Sequence, residues 1–144
     1  MRKHSYRVIA TAVLLGCLAV SANAHCGGMP LTASIPFQFS TSRATLPAGE
    51  YHITCFGSGR FLQIRSSDGS ANAVMAMVPV SGRSQEGARL VFHRYGSRYF
   101  FVQAWAGSDT GLELPTTQAE DSAAREAAGI KPPKRETIVL TALR

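Results

Sequence analysis

The sequence predicts a small all-β protein, an antiparallel meander of about seven strands curled as a barrel or a sandwich, with one short C-terminal helix before the last strand. Three observations lead there. Apolar and polar residues alternate along short runs rich in Val, Ile, Phe, Tyr and Thr. Gly, Pro, Asp and Ser clusters separate those runs at close spacing, as turns do. Only the stretch at about 117–128 carries the start and stop signals of a helix.

Residues 1–24 read as a secretory signal peptide. Arg2, Lys3 and Arg7 precede an apolar run from Val8 to Val20, and Ala22-Asn23-Ala24 sets cleavage before His25. A competing reading takes Leu14-Leu15-Gly16-Cys17 as a lipoprotein signal that would anchor the chain through Cys17. The apolar run is short for a membrane helix and no second one follows, so the expectation is export to the periplasm or beyond, with no transmembrane span in the mature form. The remaining 120 residues suit one domain. Three of the fifteen basic residues and none of the nine acidic ones lie in the leader, which lowers the net charge from +6 to +3. With basic residues spaced singly rather than in a stripe, nucleic acid is not expected as a partner. Cys26 and Cys55 then remain, and one bridge between them would close a loop worth up to about 3 kcal/mol. Alternatively, Cys55 is a buried thiol.

Residues 25–33 are Gly-rich and read as a flexible N-terminal segment, with a single β domain over 34–144. Ser34 to Ser40 is the first strand, with Ile35, Phe37 and Phe39 on one face and Pro36 marking an edge or a start. Leu46-Pro47-Ala48-Gly49 turns the chain into Glu50 to Phe56. Gly57-Ser58-Gly59 leads to Arg60 to Ser66, and Asp68-Gly69 leads to Ala71 to Val80. A two-residue Asp-Gly loop sets Leu62 and Ile64 on the face shared by Met75 and Ala73.

The most aromatic stretch runs from Ala88 to Ala106 and reads as a hairpin about Gly96-Ser97, with Gly first as a type II′ turn requires. The implied register pairs Tyr95 with Arg98, Arg94 with Tyr99, His93 with Phe100, Phe92 with Phe101 and Val91 with Val102. Leu90, Phe92, Phe101 and Trp105 then share one face; Val91, His93, Phe100 and Val102 share the other. Two apolar faces require cover on both sides. Gly107 to Gly111 reads as a loop. Thr117 with Glu120 forms a capping box for the helix, whose alanines suit a cover over one sheet face, and Gly129 ends it. Beyond Lys131-Pro132-Pro133-Lys134-Arg135, a final strand spans about 136–143.

The succession IPFQFS, LPAGEYHI, FLQIRSSDGSANA, LVFHRYGSRYFFVQAW and GLELPTTQAE resembles a family of small secreted bacterial proteins of the acidobacterial type, with LPAGEY and LVFHRYG as its most specific pieces. The resemblance covers nearly all of the mature chain. It implies an all-β fold and export, and it carries no catalytic residues to transfer. LPAGEY also occurs in extracellular β-sandwich modules.

Several constellations bear on chemistry. Arg94, Tyr95, Arg98 and Tyr99 at the hairpin tip form the candidate ligand site of a non-catalytic binding or structural module, set against a plain solvent-facing hairpin end. The alternative is a copper or redox protein in which an N-terminal His25 binds metal together with His52 or His93. Asp109-Thr110-Gly111 matches an aspartic-protease tripeptide, but its flanks suit an Asx turn better. Met75 and Met77, with Met29 upstream, offer thioethers, though methionine more often fills a core. Arg60, Arg65, Arg89, Arg94 and Arg98 suit an anionic polysaccharide or lipid surface or, as strand-end charges, protection against edge pairing. There is no nucleophile elbow, zinc-protease helix, phosphate loop, dinucleotide fingerprint or calcium loop. No cofactor is expected, nor an enzyme.

Overall fold

The structure is a computed structural model that describes residues 30–83, 87–129 and 135–143. The signal segment, Cys17, His25, Cys26, Met29 and residues 131–134 of the basic Pro-Pro linker lie outside those residues. Eleven strands and one helix are described: β1 (Leu31–Ile35), β2 (Phe39–Ser40), β3 (Thr45–Leu46), β4 (Gly49–Phe56), β5 (Phe61–Ser66), β6 (Asn72–Ala76), β7 (Val78–Ser81), β8 (Ala88–Tyr95), β9 (Arg98–Ala106), β10 (Thr110–Glu113), α1 (Gln118–Ala128) and β11 (Glu136–Ala142). They form two sheets that do not close into a barrel, so the architecture is a sandwich. One sheet runs β1-β4-β5-β6 and is antiparallel throughout. The other runs β11-β8-β9-β10-β7, with β2 added parallel to β9 and paired to β3.

Two devices tie the sheets together. Ala73, Met75 and Met77 point into the core in unbroken alternation, yet the strand bends at Met77, so that β6 pairs with β5 and β7 pairs with β10. A strand that changes sheet makes a corner. At the other edge, Thr32 and Leu143 exchange backbone hydrogen bonds of 2.7 and 2.8 Å, joining β1 to the end of β11. The expected single meander is corrected here. The strand read as Ala71 to Val80 is two strands, and it does not form a hairpin with β8, because after the bend its partner is β10.

Three smaller corrections follow from long-range contacts. The first predicted strand divides into β1 and β2 about Pro36, Phe37 and Gln38, and β1 begins at Leu31, inside the segment read as flexible, because Leu31 and Ala33 bury against the core. Thr110 and Gly111 open β10 rather than close a loop. Within the β8/β9 hairpin the register holds from Tyr95/Arg98 to Phe92/Phe101, and a bulge then sets Val91 opposite Gln103 instead of Val102. One extra residue flips the faces beyond it. Trp105 therefore leaves the face of Phe92 and Phe101, where Ala104 packs, and lies outside.

There the Trp105 indole rests on Gly111 of the neighbouring strand, where an added Cβ would stand 2.5 Å from the ring, and Arg89 stacks over it at 4.6 Å. The close approach explains the glycine of Asp109-Thr110-Gly111 as packing. Met75 and Met77 are likewise buried core residues. The Asp68-Gly69 turn gives the expected register, Ile64 opposite Ala73 and Leu62 opposite Met75. Asp68 accepts hydrogen bonds from the Ser66 hydroxyl and from the backbone and hydroxyl of Ser70, which hold its carboxyl down at about 2.

Helix α1 starts as read. Thr117 is its N-cap and accepts from the Glu120 backbone N–H at 3.2 Å. The reciprocal half of the capping box is replaced, because the Glu120 carboxylate turns to the sheet. Ala123 with Ala124 and Ala127 packs on Tyr95 and Phe100, so the helix covers the outer face of the hairpin. Gly129 ends the helix in an ordinary right-handed conformation, not a left-handed one.

Candidate functional site

The hairpin tip carries the four candidate ligand residues, Arg94, Tyr95, Arg98 and Tyr99. Gly96 has φ +62° and Ser97 does not share the left-handed region, as a type II′ turn requires. Cross-strand pairing brings Arg94 to Tyr99 and Tyr95 to Arg98, as the sequence implied. Consecutive strand residues face opposite ways, however, so the two pairs lie on opposite sides of the sheet.

On the inner side, Phe37 stacks on Tyr99 with ring centroids 3.9 Å apart and planes 11° apart, and it meets Phe92 edge-on at 5.2 Å. Phe37 thereby packs, partly buried, against the edge of the core. Arg94 lies over Tyr99 at 5.4 Å, donates to the Gly96 carbonyl at 2.7 Å and pairs with Glu136 at 3.4 Å. On the outer side, Arg98 pairs with Glu126 of α1 at 3.2 Å and lies over Phe100. Tyr95 is buried beneath the helix. All four candidate ligand residues thus have partners within the chain.

A network the sequence did not reveal lies between the hairpin and α1. Glu120 is only 6% exposed; its Oε1 accepts from His93 Nδ1 at 2.7 Å and from the Tyr95 hydroxyl at 3.2 Å. Burial, and next the Glu120 carboxylate, push the Tyr95 phenol above its ordinary value. The capping spacing announced Glu120 at the helix start. Nothing local announced its partners, which are 27 and 25 residues away. A buried carboxylate needs such donors, and the network fastens helix to sheet.

The histidines of the copper reading are not brought together. His52 lies on the outer face of the four-stranded sheet, within 3.3 Å of the Thr32 and Ser67 hydroxyls. His93 faces out from the other sheet under α1, and His25 lies outside the described residues. Among the described residues no group of three His, Cys, Asp or Glu side chains is arranged to hold a metal. Cys55 is half-buried against the core near the end of β4.

An open apolar feature appears where the sequence analysis named only strand ends and a turn. At the corner between the β4–β5 turn and the bend at Met77 lies a pocket of about 620 Å³, lined by Arg60, Phe61, Met77, Val78, Pro79 and Leu112. Phe56 and Phe61, opposite each other on β4 and β5, stack at 5.5 Å on the outer face and remain 48% and 40% exposed. Val74 and Val78 are exposed as well. The alternation of β4 and β5 placed these rings on the solvent side, but only the bend of the next strand creates the concavity beside them. At the opposite end of β4, a smaller pocket of about 260 Å³ is lined by Glu50, Tyr51 and the Ser66–Ser70 turn, whose Asp68 already holds its serines.

No helix among the described residues is long and apolar enough to cross a membrane. No family model, curated protein or solved structure matches the chain.

Proposed function

We propose that the chain is an exported, non-catalytic binding module, cleaved before His25, that meets its ligand at the β4–β5 corner. One observation carries the reading: Phe61, which lines an open apolar pocket, stacks on Phe56, and both rings are about half exposed. Exposed aromatic residues grouped beside a concavity are what binding surfaces are made of. The hairpin tip serves structure in this reading, since its arginines and tyrosines hold Phe37, Glu136 and α1. The signal sequence and the resemblance to a secreted family supply the export half of the proposal.

A Cys26–Cys55 bridge belongs to the same reading. Leu31 pairs with Ile53, two residues from Cys55, and the four residues separating Cys26 from Leu31 have ample reach at about 3.4 Å per residue. Intact mass of the exported protein tests this half: a chain starting at His25 and two hydrogens lighter than its reduced form is expected. A lipid mass on Cys17, or a copper ion lost in His25→Ala, contradicts it. The binding half is tested with a bis-naphthalene sulfonate dye, whose fluorescence should rise saturably with the mature protein. Phe56→Ser with Phe61→Ser should weaken that binding at least about tenfold, as loss of two half-buried rings implies. Unchanged binding in the double variant overturns the corner as the site.

A further inference from the structure

Resting on that reading of the corner, we infer that its ligand is the surface of an anionic phospholipid bilayer. The turn sequence is Phe56-Gly57-Ser58-Gly59-Arg60-Phe61, two aromatics enclosing small residues and one cation. Gly57, Ser58 and Gly59 all take positive φ, which folds the backbone tightly and leaves the two rings and Arg60 as its large side chains. Arg60 is exposed and makes no ion pair among the described residues. Among the residues that line the corner pocket, Arg60 is the one charged side chain. The carboxylate nearest in register is Glu113, opposite Val78, and it is bound by the Gln103 amide.

Size decides between a membrane and a protein partner. The exposed parts of Phe56, Phe61, Val74 and Val78 amount to roughly 300 Å², taking about 150–250 Å² for a whole aromatic side chain. A specific protein interface, including one between two copies of this chain, takes about 800 Å² from each partner, of which roughly 450 Å² is apolar. Two rings and an arginine suffice for a bilayer surface. There phenylalanine rings bury into the headgroup/acyl boundary, and an arginine buries its stem while its guanidinium meets phosphate. Each cation near an anionic surface strengthens binding about fivefold, an effect that salt screens.

The test is co-sedimentation of the mature protein with vesicles of phosphatidylcholine alone and of phosphatidylcholine mixed with phosphatidylglycerol. The protein should pellet with the anionic vesicles and far less with the neutral ones. Phe56→Ser with Phe61→Ser should weaken that binding at least about tenfold, and Arg60→Ser about fivefold, while far-UV dichroism and melting temperature stay those of the parent. Failure to pellet with the anionic vesicles, equal binding to both kinds, or undiminished binding in the double variant overturns the inference. If the dye still binds the parent at the corner while vesicles do not, the corner stands and the lipid falls; if neither binds, both fall. A concentration-dependent dimer abolished by the same variant makes a second copy the occupant and also overturns it.

Discussion

His93, Tyr95 and Glu120 behave as one unit between hairpin and helix. Removing one member leaves a buried carboxylate short of a donor, which costs more than the hydrogen bond itself. His93→Leu is expected to destabilise the protein by about 3 kcal/mol in urea unfolding, and His93→Leu with Glu120→Leu should recover much of that loss. A double variant no more stable than the single one would show that Glu120 is not the residue left stranded. Tyr95 supplies a pH test. Its phenol pKa is raised in the fold by burial and by Glu120, so its contribution is intact below the unfolded value near 10 and is lost as pH rises through the folded one. Tyr95→Phe should therefore flatten the alkaline limb of the stability profile, leaving the part due to Tyr51, whose phenol is raised too, mainly by burial. At Gly111 the issue is space. Gly111→Ala drives a methyl into the Trp105 indole and should cost about 1–3 kcal/mol, read from thermal unfolding and tryptophan fluorescence.

Elements whose ends carry their own chemistry were legible from the chain. The Asp68-Gly69 turn sets a register that its strands keep, and the Gly96-Ser97 turn sets one that holds from Tyr95/Arg98 to Phe92/Phe101, because turn type and apolar alternation agree there. Thr117 announced the helix start in the same way, and Thr117→Ala should cost about 1 kcal/mol by losing its bond to the Glu120 N–H. What was not legible depends on distant partners. The bulge at Val91 and Phe92 carries no glycine, so the stretch reads as uninterrupted strand, and Trp105 is assigned to the wrong face. The bend at Met77 is hidden because Ala73, Met75 and Met77 keep perfect alternation through it. Phe37 reads as one more inward strand residue, and only the folded hairpin reveals its stack on Tyr99.

At the scale of the molecule, the same features that concealed the site create it. The sequence directs attention to the richest cluster of aromatic and basic residues, at 94–99, where folding supplies every one with an internal partner. Phe56 and Phe61 read as ordinary because one ends a strand and the other begins the next, on either side of a glycine turn. Their exposure matters only once the strand bend places a concave wall next to them. The proposed bridge from Cys26 to Cys55 ends on the same strand, and reducing it should lower stability by up to about 3 kcal/mol without displacing the corner. The corner as the lipid-binding site is tested by mapping amide chemical shifts of the mature, oxidised protein during titration with a short-chain phosphatidylglycerol. Shifts gathered at Phe56 to Phe61, Met77 to Pro79 and Leu112 are the predicted result. Shifts gathered instead at Arg94 to Tyr99, with the corner unmoved, would contradict it.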